Sequence, residues 1–326
     1  MADDIAKRIP KFIEPFRVSP GSSVKLGRDF DPGFKAGIEK KQDGVGLLEG
    51  GIELLAKYQA RLAAQDTYGV LVVLQALDAA GKDGTIRHVM GGLNPQGVRV
   101  ESFKVPSERE LDQDFLRRYQ QRLPSRGEIG IFNRSHYEEV LVVRVHPENL
   151  LREKLPVETR EHHVWAHRYE AINNWERYLS DNGFRIVKLF LNLSREEQRT
   201  RFLRRIDLPD HNWKFSSHDV QERQSWDAYQ EAFSEMFSHT STSWAPWYVI
   251  PADRKWFART AAAAVIAQAL IDIDPQYPTV SKEQRDMLQG MRAQLGGHDA
   301  GDGHHADDAT QEGAAESVAV GDKGKS

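Results

Sequence analysis

The chain has 326 residues, 44 Lys and Arg against 48 Asp and Glu, and a formal net charge of −4. That length buries a sizeable core, and 40% hydrophobic with 28% charged residues is globular composition, which excludes a disordered or fibrous chain. The lack of cysteine excludes disulfides, thiolate zinc sites and cysteine nucleophiles; no apolar run approaches the roughly 18 to 20 residues of a membrane span, and residues 1–12 hold no apolar signal core.

The expectation is a cytoplasmic protein with no membrane and no nucleic-acid partner. A net −4 also argues against any polyanionic partner, but the charge is unevenly placed. Residues 296–326 hold seven acids and two lysines, a net of −5, so residues 1–295 carry +1. This terminal stretch has seven glycines and no aromatic residue, so it reads as a disordered acidic tail.

Taken in chain order, residues 1–45 contain Pro10, Pro15, Pro20 and Pro32 and read as an extended arm. Leu47 to Gln65 places apolar residues at helical spacing. The run Tyr68-Gly-Val-Leu-Val-Val-Leu-Gln75 has no alternation, as expected of a parallel strand buried on both faces. Similar strands are predicted over 98–105, 129–132, 184–191 and 247–251, separated by helices over 107–122, 158–180, 195–205, 219–237 and 254–273. Strand alternating with helix predicts an α/β fold, a three-layer α/β/α sandwich around a five-stranded parallel sheet. No linker divides residues 46–295, which read as one domain.

In such a sheet, ligands sit beyond the carboxyl ends of the strands. The first strand runs into Gln75-Ala-Leu-Asp78-Ala-Ala80-Gly81-Lys82-Asp83-Gly84-Thr85 and then a helix, the arrangement of a phosphate-binding loop. Small residues let backbone N–H groups of Ala80, Gly81, Asp83, Gly84 and Thr85 wrap an anion at a helix N-terminus, and Lys82 reaches the β- and γ-phosphates. Ala76 replaces the usual first glycine, and Asp83 replaces the Ser or Thr that holds magnesium. Asp78 suits phosphates only with a cation between, so it reads as a Mg²⁺ ligand. A plain strand–turn–helix junction is the competing reading.

The strand at 129–132 also ends in polar residues, Asn133-Arg134-Ser-His-Tyr-Glu138-Glu139. Neighbouring strands in phosphate-loop enzymes commonly end in an acid that holds magnesium; Asn133 occupies that position here, and Arg134 suits a phosphate. Glu138 is a candidate acid, whereas Glu139 fits a helix-dipole role. Five arginines fall between Arg195 and Arg205, with Arg201 and Arg205 on one helix face. A proline-interrupted aromatic segment with Lys214 and Arg223 follows, which together read as a lid over residues 201–225 that closes on phosphates.

The segments DAAGKDGTI, IFNRSHYEEVLVVRVHPE, SREEQ, WKFS and APWYVIPADRK, in this order over residues 30–275, resemble the polyphosphate kinase 2 family. The resemblance implies a phosphate-loop kinase core with a helical lid, Mg²⁺ dependence with Mn²⁺ as a substitute, and reversible transfer of the terminal phosphoryl group of inorganic polyphosphate to a nucleotide. Asp78 and Lys82 match the family's loop acid and lysine, Arg134 its second-strand arginine, and Arg201, Arg205 and Arg223 its lid arginines. The family's usual Asp-Arg is Asn133-Arg134 here, which resembles the class III branch that phosphorylates nucleoside mono- and diphosphates, AMP and ADP with GMP and GDP. Glu138 could compensate for the missing carboxylate, and His211 stands where relatives carry a lysine. Family likeness also implies a homo-oligomer, dimer or tetramer. Two rivals remain: an ATP-dependent nucleoside monophosphate kinase, and a non-catalytic nucleotide- or polyphosphate-binding regulator.

Overall fold

Strands β1 (Gly69–Gln75), β2 (Val98–Ser102), β3 (Ile129–Asn133), β4 (Phe184–Asn192) and β5 (Trp247–Pro251) pair in the order β2-β3-β1-β4-β5, all parallel. The computed structural model describes residues 2–214 and 217–296; for residues 2–4, 161, 211, 213, 214, 217 and 218 it describes the backbone alone. Every residue of β1 is buried, and its side chains divide by parity between the two faces. Val70, Val72 and Leu74 join one apolar cluster with Leu55, Leu62 and Ala262 of the helices Lys41–Gln65 and Lys255–Ile273. Leu71 and Val73 join the other with Ile172, Phe233 and Phe237 of the helices Val164–Asp181 and Trp226–Thr240. Helices on both faces explain why the strand sequences run apolar without alternation.

From β1 the chain first fills the β3 side of the sheet and then crosses to β4 and β5. The carboxyl end of β1 is therefore the point where the strand order reverses, and a crevice opens there.

Several elements differ from the sequence reading. The arm begins with a helix, Ala2–Ile13, because Ile5, Ile9 and Ile13 at four-residue spacing pack into the first cluster despite Pro10. The chain then lies along the β5 edge, where the Val18 N–H donates to Trp247 O at 2.9 Å. Residues 107–122 form two short helices, Glu108–Leu111 and Arg117–Gln120, rather than one. Asp114 Oδ1 accepts the Leu116 N–H at 3.1 Å, which forms a local turn between the two.

Against the expectation of no such run, Lys255–Ile273 is long and apolar enough to cross a membrane, yet 67% of its apolar window is buried as a core helix. The chain divides into units Met1–Tyr277 and Pro278–Ser326, so residues 278–295 separate from the domain expected over 46–295. The second unit contains a helix, Lys282–Leu295, opened by a Ser281–Gln284 capping box and exposed along its whole length. The expected tail, beyond Gly296, lies outside the described residues.

Candidate active site

The loop after β1 turns through two left-handed residues, Ala79 at φ 65° and Gly81 at φ 105°, before the helix Lys82–Met90 starts. Glycine at 81 relieves backbone strain rather than crowding, since an added Cβ would lie 3.9 Å from its nearest neighbour, Arg201 Nη1. Ala79 bears the same conformation with a side chain, at a cost of about 1–2 kcal/mol. The turn leaves the first N–H groups of the helix, over Lys82 to Gly84, without intrahelical acceptors. Lys82 folds back across its own loop, Nζ donating to Ala76 O at 2.8 Å. Desolvation and the charge of Arg134 push its ammonium below the usual lysine range, against Asp78, Glu138 and Asp83.

Arg134 lies just past β3 with φ 64°. Its backbone N–H donates to Leu74 O at 3.2 Å, and its guanidinium bridges Asp78 Oδ1 at 3.0 Å and Glu138 Oε2 at 3.2 Å. Glu138 and Asp78 raise the arginine further above its ordinary range, although desolvation opposes them. Asn133 donates from Nδ2 to Asp83 Oδ1 at 2.9 Å, while its Oδ1 is buried with no partner. Glu139 turns away from the crevice and is buried, accepting from Tyr119 OH at 3.1 Å. Burial pushes its carboxyl up to about 7, against the pull of Arg168.

The arginine helix, Arg195–Asp207, is capped by Ser194, whose side chain accepts the Glu197 N–H. Arg201 was expected over the phosphates, but it lies buried beneath the loop. Nη1 donates to Ala79 O and Ala80 O at 3.1 and 2.8 Å, Nη2 to Ala252 O and Asp253 O at 2.6 and 3.2 Å, and Nε to Glu197 at 2.8 Å. With every nitrogen engaged, it ties the loop after β1 to the loop after β5. Arg205 faces Asp219 at 3.6 Å.

Arg223 lines the crevice and is held there by Gln198, a residue that no motif singles out. Arg223 Nη1 donates to Gln198 Oε1 at 2.9 Å, and Gln198 Nε2 donates to Asp78 O at 3.0 Å. The side chain of Lys214 lies outside the described residues.

These elements line one open cleft. Asp78, Arg134, Glu138, Gln198 and Arg223 line its polar side, and Leu141, Trp226 and Phe233 its apolar side. Of the residues selected from sequence, Asp78, Arg134, Glu138 and Arg223 converge on this cleft, while Lys82, Asp83 and Asn133 flank it through direct contacts. Arg201 serves the loop from below. The cleft joins two guanidiniums, Arg134 and Arg223, with four carboxylates, Asp78, Glu138, Asp219 and Glu222, a charge pattern suited to phosphates that arrive with a cation.

The family model described as Polyphosphate kinase 2 matches residues 38–278. The ADP-polyphosphate phosphotransferase of Rhodopseudomonas palustris is 48% identical over 284 residues, covering 86% of this chain and 97% of its own. The AMP/ADP-polyphosphate phosphotransferase of Meiothermus ruber is 44% identical, covering 82% and 96%. Among solved structures, that of Polyphosphate Kinase 2 from Arthrobacter aurescens superposes with a TM-score of 0.75 at 38% identity, covering 85% of this chain and 96% of that one.

Proposed function

The chain belongs to the polyphosphate kinase 2 family and is a polyphosphate-dependent nucleotide kinase, and from that premise we propose that it accepts both AMP and ADP, carrying AMP through ADP to ATP. One observation carries this reading to the residues: Arg134 stands between Asp78 and Glu138 at the mouth of a phosphate loop whose lysine is already inside it. The wider nucleotide range is supported by the sequence Asn133-Arg-Ser-His-Tyr-Glu138 and by the likeness to a relative named for both nucleotides.

In the proposed reaction, the terminal phosphate oxygen of the nucleotide attacks the end phosphorus of polyphosphate in line, the bond from that phosphorus to the bridging oxygen breaks, and the shortened polyphosphate leaves as an anion. That oxygen is already anionic, so the chain needs no strong general base and forms no covalent intermediate. Lys82 exchanges the Ala76 carbonyl for a phosphate oxygen, and the helix N–H groups hold the transferred group. Arg134 and Arg223 neutralise its charge from the opposite wall. Gln198 keeps Arg223 registered to the loop, and the apolar wall excludes water from the reacting atoms.

The residues present fit Mg²⁺. The donors are hard oxygens, Asp78 and Asp83 carboxylates with the unpartnered Oδ1 of Asn133, and no group of three or more acidic or histidine ligands occurs among the described residues. That sparse set suits an ion that keeps waters and binds largely through substrate phosphates. Once bound, the ion would polarise the transferred phosphoryl group and offset its charge. The proposal includes a cytoplasmic homo-oligomer of two or four chains, in keeping with family likeness and the absence of cysteine.

The test is incubation with Mg²⁺, polyphosphate and AMP, following ADP and ATP with time. ATP appearing after ADP is the expected result. ADP alone, or ATP formed only when ADP is supplied, would overturn the dual range.

A further inference from the structure

The proposed site depends on a residue in an uncommon conformation. Arg134 holds φ 64° without being glycine, and its guanidinium must still reach Asp78 and Glu138. Such a conformation persists only where the surrounding structure over-determines it. The three residues after it, Ser135, His136 and Tyr137, are completely buried.

Ser135 Oγ accepts from Gln75 Nε2 at 3.1 Å. His136 Nε2 and Tyr137 OH meet the same carboxylate oxygen, Oε1 of Glu176, at 3.2 and 2.7 Å. His136 Nδ1 is buried with no partner, so the neutral ring donates from Nε2. Burial holds His136 below its ordinary range, in keeping with that neutral form.

Glu176 is fixed in turn by Lys188, which projects from the middle of β4 into a layer that is otherwise apolar and is itself completely buried. Its Nζ donates to Glu176 Oε2 at 2.7 Å, Thr240 O at 2.6 Å and Tyr137 OH at 2.9 Å, which uses all three ammonium protons. Tyr137 OH therefore accepts from Lys188 and donates to Glu176, closing a ring of hydrogen bonds behind the strand end.

A buried lysine and glutamate are a poor way to gain stability, because desolvating both charges offsets their attraction, and apolar pairs of similar size often do as well. A device that fixes direction is the better account, since each bond in this ring has one geometry. We propose that Lys188 and Glu176 are positioning residues for phosphoryl transfer: they lock His136 and Tyr137 so that Arg134 presents its guanidinium between Asp78 and Glu138. The inference rests on the phosphoryl-transfer reading of the cleft. Neither residue touches the cleft itself.

The experiment pairs the double variant Lys188→Met/Glu176→Leu with Tyr137→Phe, each made in the wild-type and Arg134→Ala backgrounds. Thermal midpoints, kcat and the KM for polyphosphate and ADP are measured for all. The double variant should fold with a lowered thermal midpoint, because the Tyr137 hydroxyl and His136 Nε2–H lose these partners, while kcat falls about 10- to 100-fold, the scale of a displaced catalytic group, with both KM values changing far less. Tyr137→Phe, which removes one hydroxyl, keeps the test valid if the double variant fails to fold, and should lower kcat in the same direction. In the Arg134→Ala background neither change should lower kcat further. A folded variant with wild-type kcat would overturn the inference, as would losses that multiply with that of Arg134→Ala. An inactive wild-type protein would instead remove the phosphoryl-transfer reading.

Discussion

At the scale of single residues, the site is organised by an arginine that engages two carboxylates. Arg134 occupies Asp78 and Glu138, so in the proposed reaction a cation arriving with the phosphates would share those carboxylates with it. Removing Asp78 then does two things at once: it frees Arg134 on one side and deletes the loop's own carboxylate. Asp78→Ala and Lys82→Ala are each expected to lower ATP formation about 100- to 1,000-fold with the circular dichroism spectrum unchanged, and near-normal turnover in either would remove these residues from the site. Glu139 makes a different prediction. Its carboxyl titrates at about 7 when folded against an ordinary 4.5, so the folded protein holds a proton that the unfolded chain releases between those values. Stability is therefore lost as pH rises through that window, the reverse of a salt-bridged carboxylate. Glu139→Gln should gain in thermal midpoint over wild type from pH 5 to pH 8, and parallel melting curves across that range would refute the shift. Asp78, Lys82 and Arg134 were legible in the sequence because each follows a strand end at fixed spacing. Gln198, and the place of Arg201 beneath the loop, were opaque because their partners, Asp78 and Ala79, lie 120 and 122 residues away along the chain.

At the scale of elements, alternation of buried strands and helices was legible because the central strand runs apolar from Val70 to Leu74 and its neighbours are mostly apolar, and the sheet order then followed only from contacts across the chain. The helix Ala2–Ile13 was hidden by its proline, although Ile5, Ile9 and Ile13 carry the helical spacing that packs it. The two short helices between Glu108 and Gln120 were read as one because a local turn at Asp114 interrupts a continuous polar–apolar pattern. Close packing sets a further constraint that no periodicity reveals. Gly44 lets the helix Lys41–Gln65 approach Lys255–Ile273 so closely that a Cβ would collide with the indole of Trp256, and Thr260 Oγ1 donates to Gly44 O at 2.9 Å. Gly44→Ala should gain about 1 kcal/mol in helix propensity and lose about 1–3 kcal/mol to overpacking. A lower thermal midpoint with unchanged KM for both substrates is the expected result, since this contact lies behind the sheet; a raised midpoint would show that the indole yields freely.

At the scale of the whole molecule, charge is the property that composition reports most misleadingly. The overall −4 would repel a polyanion, yet residues 1–295 are at +1 and the remainder at −5. The cleft cations Arg134 and Arg223, with Lys82 of the loop, act at contact distance, where salt screens little. The acids of residues 296–326 belong to the long-range field, which decays over about 10 Å at 0.1 M salt and acts mainly on encounter with a charged substrate. The two contributions can therefore be separated by ionic strength. A chain ending at Leu295 should show a lower KM for polyphosphate than the full chain at about 0.01 M salt, where the screening length is near 30 Å, and the two should converge near 1 M, where it is about 3 Å. Its kcat should equal that of the full chain at every salt concentration, because no group at the cleft has changed. Equal KM values at low salt would mean that the terminal acids contribute nothing to encounter; a fall in kcat would mean that they take part in the site.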